Sequence, residues 1–341
     1  MSERTPPSGR DDRNADRAID PSGLYDRLCE EISTVLIGNE QIVEGLTIAL
    51  LTRGHVLLEG VPGVAKTTIA NAFSRAIGLE YVRIQMTPDI LPADITGTTV
   101  YREPTGEFEL RKGPVFSNVV VADEINRATP KTQSALLEAM QERRVTIDGT
   151  THKLPVPFLV IATQNPIEME GVFELPEAQR DRFQQKHVVD LPDRSMEAEL
   201  IGRFDADPQL GPGTVEQVVE PAEILAARTA VADVHVADPI VDYILDIVHA
   251  SRETPEIEHG GSPRASLAFL NAGKARAAIY GREYVIPDDV KALVGPILHH
   301  RIVRSTDAQL SDRSTEAIVE DLIEDVPPPS GDKLYDPFPV E

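Results

Sequence analysis

The stretch His55–Thr67 reads HVLLEGVPGVAKT and decides the fold, because it joins a short apolar strand to a glycine-containing loop. After the loop, apolar residues such as Ile69 and Phe73 recur at helical spacing, so we expect a helix to follow. A loop in this position turns its backbone N–H groups inward, and the N-terminus of the following helix adds positive potential at the same point. The stretch therefore predicts a site for the phosphates of a nucleotide.

Two side chains of this loop complete the predicted phosphate site. Lys66 can reach the β- and γ-phosphates, and Thr67 offers a hydroxyl to Mg²⁺. Ala65 stands where a final glycine is usual, and an alanine fits there if the backbone already has helical dihedral angles. We predict that a nucleoside triphosphate, with Mg²⁺, is held by the loop and the start of the helix, at Gly60, Val61, Pro62, Gly63, Val64, Ala65, Lys66, Thr67 and Thr68.

A pair of carboxylates ends a second apolar run, Val119–Glu124, which reads VVVADE. At the C-terminal edge of a parallel sheet, where ligands bind in open α/β folds, Asp123 would hold Mg²⁺ through water and Glu124 would take a proton from the attacking water. Asn165 follows the next apolar run in the same way, and we expect it to orient that water or to touch the γ-phosphate. An asparagine that only caps a turn is the simpler alternative for Asn165.

Apolar runs alternate with helical patterns along the first two hundred residues, which predicts an α/β domain with a parallel sheet. The later part shows only helical periodicity, which predicts a small all-α domain. The predicted divisions are a disordered arm (1–20), an α/β nucleotide-binding core (21–204), a linker (205–221), a helical lid (222–304) and an acidic, partly disordered tail (305–341). Hairpins are expected at 98–110 and 145–149.

Charge dominates the composition, with 56 acidic and 33 basic residues for a net charge of -23. Such a chain repels phosphate backbones, which disfavours bulk binding of nucleic acid. The acidity suits a cytoplasm of high salt, where repulsion is screened, but an ordinary acidic protein is an equal alternative. A polar N-terminus, the absence of a run long enough to span a membrane and the single cysteine Cys29 favour a cytoplasmic protein without disulfides.

The motifs, taken in order, resemble those of the MoxR family of AAA+ ATPases from about residue 24 to 304. The resemblance rests on the loop Gly60–Thr67 and on five further stretches: Asp123–Ala128 (DEINRA), Lys131–Glu142 (KTQSALLEAMQE), Thr163–Pro166 (TQNP), Leu175–Phe183 (LPEAQRDRF) and Gly261–Ala265 (GSPRA). It implies an AAA+ core of P-loop type followed by a helical lid.

Residue roles follow from this resemblance. It implies that Lys66 and Thr67 form the Walker A site and that Asp123 and Glu124 form the Walker B pair. Asn165 matches sensor 1, and Ile37 and Gly38 match the segment that cradles adenine. Arg182 matches the arginine finger, which enters a neighbouring subunit's site, with Arg180 as a competing finger. Arg264 matches sensor 2, which would touch the γ-phosphate in its own subunit.

The family also implies a ring, usually a hexamer, that acts as a chaperone in the maturation of protein complexes, often with a von Willebrand factor A domain protein as partner. One alternative is an AAA+ motor or loader for nucleic acid, since basic residues occur on the two predicted hairpins at Arg102, Arg111, Lys112, Arg143 and Arg144. A second alternative is a scaffold that binds ATP without hydrolysing it, against which Glu124 and Arg182 argue.

Overall fold

The structure is a computed structural model that describes residues 20–104, 106–166 and 171–330. The predicted arm (1–20) thus lies outside the described residues, except for Asp20, whose carboxylate caps the first helix. In chain order the strands are β1 (Val56–Glu59), β2 (Tyr81–Gln85), β3 (Gly97–Arg102), β4 (Glu107–Lys112), β5 (Val119–Asp123), β6 (Arg144–Ile147), β7 (Thr150–Lys153), β8 (Leu159–Gln164), β9 (Gln185–Val188), β10 (Ile257–His259) and β11 (Val303–Arg304).

Helices flank these strands and form most of the later part of the chain. They are α1 (Pro21–Ser33), α2 (Glu40–Thr52), α3 (Lys66–Ala76), α4 (Pro92–Thr96), α5 (Pro130–Glu142), α6 (Glu177–Arg180), α7 (Arg194–Ala206), α8 (Pro221–Asp233), α9 (Asp238–Glu253), α10 (Pro263–Ile279), α11 (Pro287–Leu298), α12 (Thr306–Leu310) and α13 (Thr315–Asp325). Within the described ranges, no helix is both long and apolar enough to cross a membrane.

The central sheet is parallel, with the strand order β2-β5-β8-β1-β9, and it confirms the predicted α/β fold. Its inner strands are buried on both faces because alternate side chains enter different apolar clusters. On β5, Val119 and Val121 face α3, whereas Val120 and Ala122 pack with residues of α5. This order brings the C-terminal ends of β1, β5 and β8 side by side, where the predicted site residues lie.

Two antiparallel hairpins leave the core where the sequence predicts them. β3 pairs with β4 through the register Thr99–Leu110, and β6 pairs with β7 through Val145–His152. Both hairpins are short and largely exposed, in contrast to the buried parallel sheet.

Helices α8 to α11 form the lid, which packs against α1 and α2. Apolar residues of the lid and of the core belong to one continuous buried cluster. The helical lid agrees with the prediction but also contains the antiparallel pair β10–β11, which the sequence does not reveal because two- and three-residue strands carry no periodicity.

The predicted linker and tail are more ordered than the sequence suggests. In the linker, Val215 and Val219 are buried, and the N–H of Val219 donates to the carbonyl of Ala76 at the end of α3. Helices α12 and α13 lie in the stretch from residue 305 that we expected to be an acidic, partly disordered tail. Helix α13 buries Ile318 and Leu322 against the lid, and its acidic residues face solvent. Residues 331–341 of the predicted tail lie outside the described residues.

Candidate nucleotide site

The loop of residues 60–65 connects β1 to α3, as predicted, and its backbone departs from helical geometry. Gly63 and Ala65 both have positive φ angles, of 89° and 64°. The condition of right-handed helical dihedral angles at Ala65 is therefore not met: the residue lies in the left-handed region, immediately before the helix begins at Lys66. A Cβ atom on Gly63 would meet no heavy atom within 4 Å, so this part of the loop faces open space.

Lys66 lies at the first position of α3, largely buried, and its ammonium group turns back onto the loop. It donates to the carbonyl oxygen of Gly60 and, at 2.9 Å, to that of Val61. These contacts keep a positive charge inside the loop, beside the backbone N–H groups at the start of the helix. A phosphate placed there would meet a lysine, a helix N-terminus and an open glycine, which is the donor set that binds anions.

Thr67 and Asp123 are brought together from α3 and β5, as the sequence predicts. The Thr67 hydroxyl donates to Asp123 Oδ2 at 3.1 Å, and the Thr163 hydroxyl donates to Oδ1 at 2.5 Å. Adjacent hydroxyl and carboxylate oxygens are the ligand types that Mg²⁺ prefers, so these residues fit the metal that the family implies. Burial alone would raise the pKa of Asp123, but the hydrogen bonds from Thr163, Arg83 and Thr67 hold it below its ordinary value.

Arg83 is a site residue that the sequence analysis missed. Its guanidinium group donates to Asp123 Oδ2 from Nε at 3.0 Å and from Nη2 at 2.5 Å, and Nη2 also donates to Gln85 at 2.8 Å. Arg83 and Gln85 are two residues apart on β2, so their side chains lie on the same face, and β2 is the neighbour of β5 in the sheet. The signal that could have identified them is the order of the strands, which the sequence does not supply.

Glu124 follows β5 in a left-handed conformation, with φ 57° and ψ 53°. Its N–H donates to the hydroxyl of Thr163 at 2.8 Å. Its Oε2 atom accepts hydrogen bonds from Gln85 at 2.6 Å and from Arg127 at 2.9 Å. A non-glycine residue in this region costs about 1–3 kcal/mol and is typical of functional sites, so the strain supports a role for Glu124.

Asn165 is almost fully buried directly after β8, and its carbonyl accepts from the side chain of Asn126 at 3.3 Å. The preceding residue, Gln164, accepts a hydrogen bond from the N–H of Gly60, so Asn165 lies next to the start of the phosphate loop. The structure thus gathers Asn165, Glu124 and the loop at one edge of the sheet.

A cavity of about 650 Å³ opens beside the loop. The predicted residues Ile37, Gly38, Gly63, Val64, Ala65 and Thr68 line it. Apolar side chains from α7 line the opposite wall at four-residue spacing: Met196, Leu200 and Phe204. Its size and mixed apolar and backbone lining suit a nucleotide base and sugar. The sequence analysis missed the α7 residues, although their i, i+4, i+8 spacing is a signal that could have identified them.

Neither Arg182 nor Arg264 lies among the residues that line this cavity. Arg182 lines a separate polar groove with residues of α5 and of the β6–β7 hairpin. Arg264, at the start of α10, lies with its Nη1 atom 3.7 Å from Asp181 Oδ2. Arg180, the competing finger, lies at the end of α6, two residues before Arg182.

Comparisons with known proteins agree with this architecture. A family model described as "ATPase family associated with various cellular activities (AAA)" matches residues 55–185, and an AAA lid domain model matches residues 249–322. The chain is 43% identical to Chaperone MoxR1 of Mycobacterium tuberculosis, over 88% of this chain and 81% of that protein. It is also 43% identical to YeaC of Bacillus subtilis, over 90% of this chain and 95% of that protein.

More distant and structural matches point the same way. Protein MoxR of Methylorubrum extorquens is 31% identical, over 81% of this chain and 86% of that protein. A crystal structure from Cytophaga hutchinsonii has a TM-score of 0.83 and 39% sequence identity, with 91% of this chain and 96% of that chain covered.

Proposed function

The chain belongs to the MoxR family of AAA+ ATPases, and from that premise we propose that it hydrolyses ATP, with Mg²⁺, in a ring that remodels or matures protein complexes. One observation carries the proposal: Thr67, which follows Lys66 at the N-terminus of α3, contacts Asp123 beside a cavity of nucleotide size. The name of the relative MoxR1 supports the chaperone role, and the client complex and any von Willebrand factor A domain partner belong to the proposal.

The loop and α7 bind the nucleotide. The apolar wall formed by α7 takes the base, while the loop N–H groups and Lys66 hold the phosphates. Thr67 and Asp123 would hold Mg²⁺, which when bound neutralises charge on the β- and γ-phosphates. To bind the phosphates, the Lys66 ammonium group leaves the carbonyl oxygens of Gly60 and Val61, because a phosphate oxygen is a stronger acceptor than a neutral carbonyl.

Glu124 acts as the general base and takes the proton from the attacking water at one of its carboxylate oxygens. Gln85 and Arg127 donate to Oε2 of this carboxylate and so fix its position at the end of β5. Asn165, at the adjacent strand end, orients that water through its side-chain amide.

Arg182 supplies charge stabilisation to a neighbouring subunit's site, and Arg264 does so in its own subunit. The position of Arg182 in a groove away from its own cavity supports action across a subunit boundary. An arginine finger contributes about 10³–10⁵ in rate, so the site of an isolated subunit is incomplete. This requirement favours a ring, with six subunits as the family's usual number.

Substitution of Glu124 by glutamine tests the proposal. We expect Glu124→Gln to bind ATP with Mg²⁺ within about threefold of the wild-type affinity by calorimetry, because no phosphate contact is lost. Phosphate release should fall by about 10²-fold or more, because glutamine cannot accept the proton. Glu80→Gln is the matched control, since Glu80 is exposed at the opposite edge of the sheet before β2. Unchanged turnover would exclude Glu124 as the base, and absence of binding would exclude the nucleotide site.

A further inference from the structure

Several lid groups converge on Asp181, the residue that precedes the predicted finger Arg182. Asp181 Oδ1 accepts a hydrogen bond from Arg301 Nε at 2.8 Å. Oδ2 accepts one from the Ser262 hydroxyl at 3.0 Å and lies 3.7 Å from Arg264 Nη1. The carboxylate of Asp181 therefore contacts both the start of α10 and Arg301, which follows α11 in the chain. None of these contacts has an evident role in binding the nucleotide.

Arg301 ties the chain around the finger to the lid. Its side chain is only 3% exposed, and it donates to the carbonyl oxygens of Phe183 at 2.6 Å and Gln184 at 3.1 Å, and to that of Ile297. The neighbouring His300 ring also lies 3.0 Å from the Phe183 carbonyl. We call residues 181–184, which include Arg182, the finger segment. A buried guanidinium needs a charged partner, and Asp181 is the carboxylate that supplies it.

Arg264 is held to the same carboxylate much more loosely. Its side chain is 48% exposed, against 3% for Arg301, and the 3.7 Å separation is too long for a good hydrogen bond. Ion pairs of this exposed kind contribute little to stability, because solvent screens them. A bound triphosphate, with several negative charges, would therefore draw Arg264 away, whereas Arg301 would remain on Asp181.

We propose that Asp181 is a positioning residue that couples the two arginines: it pairs with Arg264 until a nucleotide binds and, with Arg301, fixes the finger segment to the lid. The proposal rests on the proposed function, in which Arg264 acts in its own subunit and Arg182 acts in the next. When Arg264 leaves for the nucleotide, Asp181 keeps only Arg301 and Ser262. Occupancy of a subunit's own site is thus communicated to the finger that the subunit offers its neighbour.

Mixed rings separate the two roles of Asp181. A donor subunit carries Glu124→Gln, so its own site is inactive while its finger is intact. An acceptor subunit carries Arg182→Ala, so its site is intact while its finger is missing. In the mixture, hydrolysis comes from acceptor sites that are completed by donor fingers. Asp181→Asn is then placed in the donor or in the acceptor, and kcat and KM for ATP are measured in each case.

We expect opposite signatures from the two positions. In the donor, Asp181→Asn should lower kcat by about tenfold or more and leave KM nearly unchanged, because the finger segment is loosened. In the acceptor, it should lower KM severalfold and change kcat little, because Arg264 no longer has to leave a carboxylate. With Arg264→Ala also in the acceptor, the change in KM should disappear. Glu174→Gln in the donor, which removes an exposed carboxylate ahead of α6, is the matched control.

The outcomes distinguish the inference from the proposed function. If the mixture without Asp181→Asn is no more active than its separate components, the finger does not act between subunits, and the coupling is overturned with it. If that mixture is active but Asp181→Asn in the donor leaves kcat unchanged, the coupling alone is overturned. Equal losses of kcat in donor and acceptor would mean a merely structural role and would also overturn it. Thermal unfolding of each variant reports whether the fold is retained.

Discussion

Ala65 and Glu124 are the two site residues in which the backbone conformation itself carries information. Both lie in the left-handed region, which costs a residue with a Cβ atom roughly 1–2 kcal/mol. At Ala65 the turn must deliver the chain into α3 while its N–H groups face the phosphate site. At Glu124 the turn leads the chain out of β5 and into the short helical turn that holds Arg127. Both strained residues thus lie in the predicted nucleotide site.

A glycine at position 65 should relieve this strain. We expect Ala65→Gly to raise the free energy of unfolding by about 0.5–1 kcal/mol, because the left-handed strain it removes exceeds the entropy that glycine loses on folding. Urea denaturation without nucleotide measures the change. The control is Ala70→Gly in the interior of α3, which should lower the free energy of unfolding by about 1 kcal/mol or more. A loss of stability from Ala65→Gly would contradict the left-handed assignment.

Local order along the chain is enough to predict that Thr67 and Asp123 lie at the same edge of the sheet. The structure brings their side chains into contact. Arg83 and Gln85 could not be found in this way, because their role depends on β2 lying beside β5. The dihedral angles of Ala65 could not be found either, since alanine carries no signal for a positive φ.

Helices and strands that bury many apolar side chains are the ones whose positions the sequence predicts. The inner strands and α3 have strong apolar patterns, and β1, β5 and α3 lie where their apolar runs predict them. The sequence analysis did not identify α7 as a helix and placed α13 in a partly disordered tail, because α7 buries no residue fully and α13 is rich in acidic side chains. Their packing depends on surfaces that other elements supply.

His55 shows how a side chain at the start of β1 joins neighbouring elements. Its Nδ1 atom accepts from the N–H of Val160, which places the proton on Nε2, 3.2 Å from the carbonyl of Met140. The ring thereby connects β1 to β8 and to the end of α5. Burial lowers the pKa of His55 to about 4 from an ordinary value of 6.5, so the folded protein holds this ring neutral at neutral pH.

Stability should therefore fall as the pH drops from 6.5 towards 4, because in that range the unfolded chain binds a proton at His55 and the folded chain does not. The loss from this group is at most about 3 kcal/mol, at 1.36 kcal/mol per unit. His55→Gln should be less stable at pH 7 by about 1 kcal/mol, through a weakened hydrogen bond, and should lose less stability on acidification. Urea denaturation at pH 7, 5.5 and 4.5 measures both effects.

The control for His55 is His259→Gln, since His259 is exposed on β10. This variant should keep the wild-type pH dependence. Burial also lowers the pKa of His187 and His300, and both residues are present in the wild type and in each variant. The informative quantity is therefore the difference between proteins in how steeply the free energy of unfolding changes with pH. A His55→Gln slope equal to that of the wild type would show that His55 does not contribute to acid destabilisation.

At the scale of the whole molecule, one apolar cluster spans the core and the lid, while the surface carries the large negative charge. The shared cluster joins the lid to α1 and α2. The net charge of -23 opposes this compact arrangement, because unit charges 10 Å apart repel by about 0.4 kcal/mol even in water. Composition predicts this repulsion without knowledge of the fold.

Salt should therefore stabilise the protein by screening, as a high-salt adaptation requires. We expect the free energy of unfolding in urea to rise by at least about 1 kcal/mol between 0.05 and 1 M KCl, as the Debye length falls to about 3 Å. A control variant neutralises four exposed carboxylates, with Asp26→Asn, Glu30→Gln, Glu253→Gln and Glu258→Gln. It should be more stable at low salt and respond less steeply, because less repulsion remains to be screened. If the wild type is no less stable at low salt than at high salt, the acidity is an ordinary surface property and the adaptation is excluded.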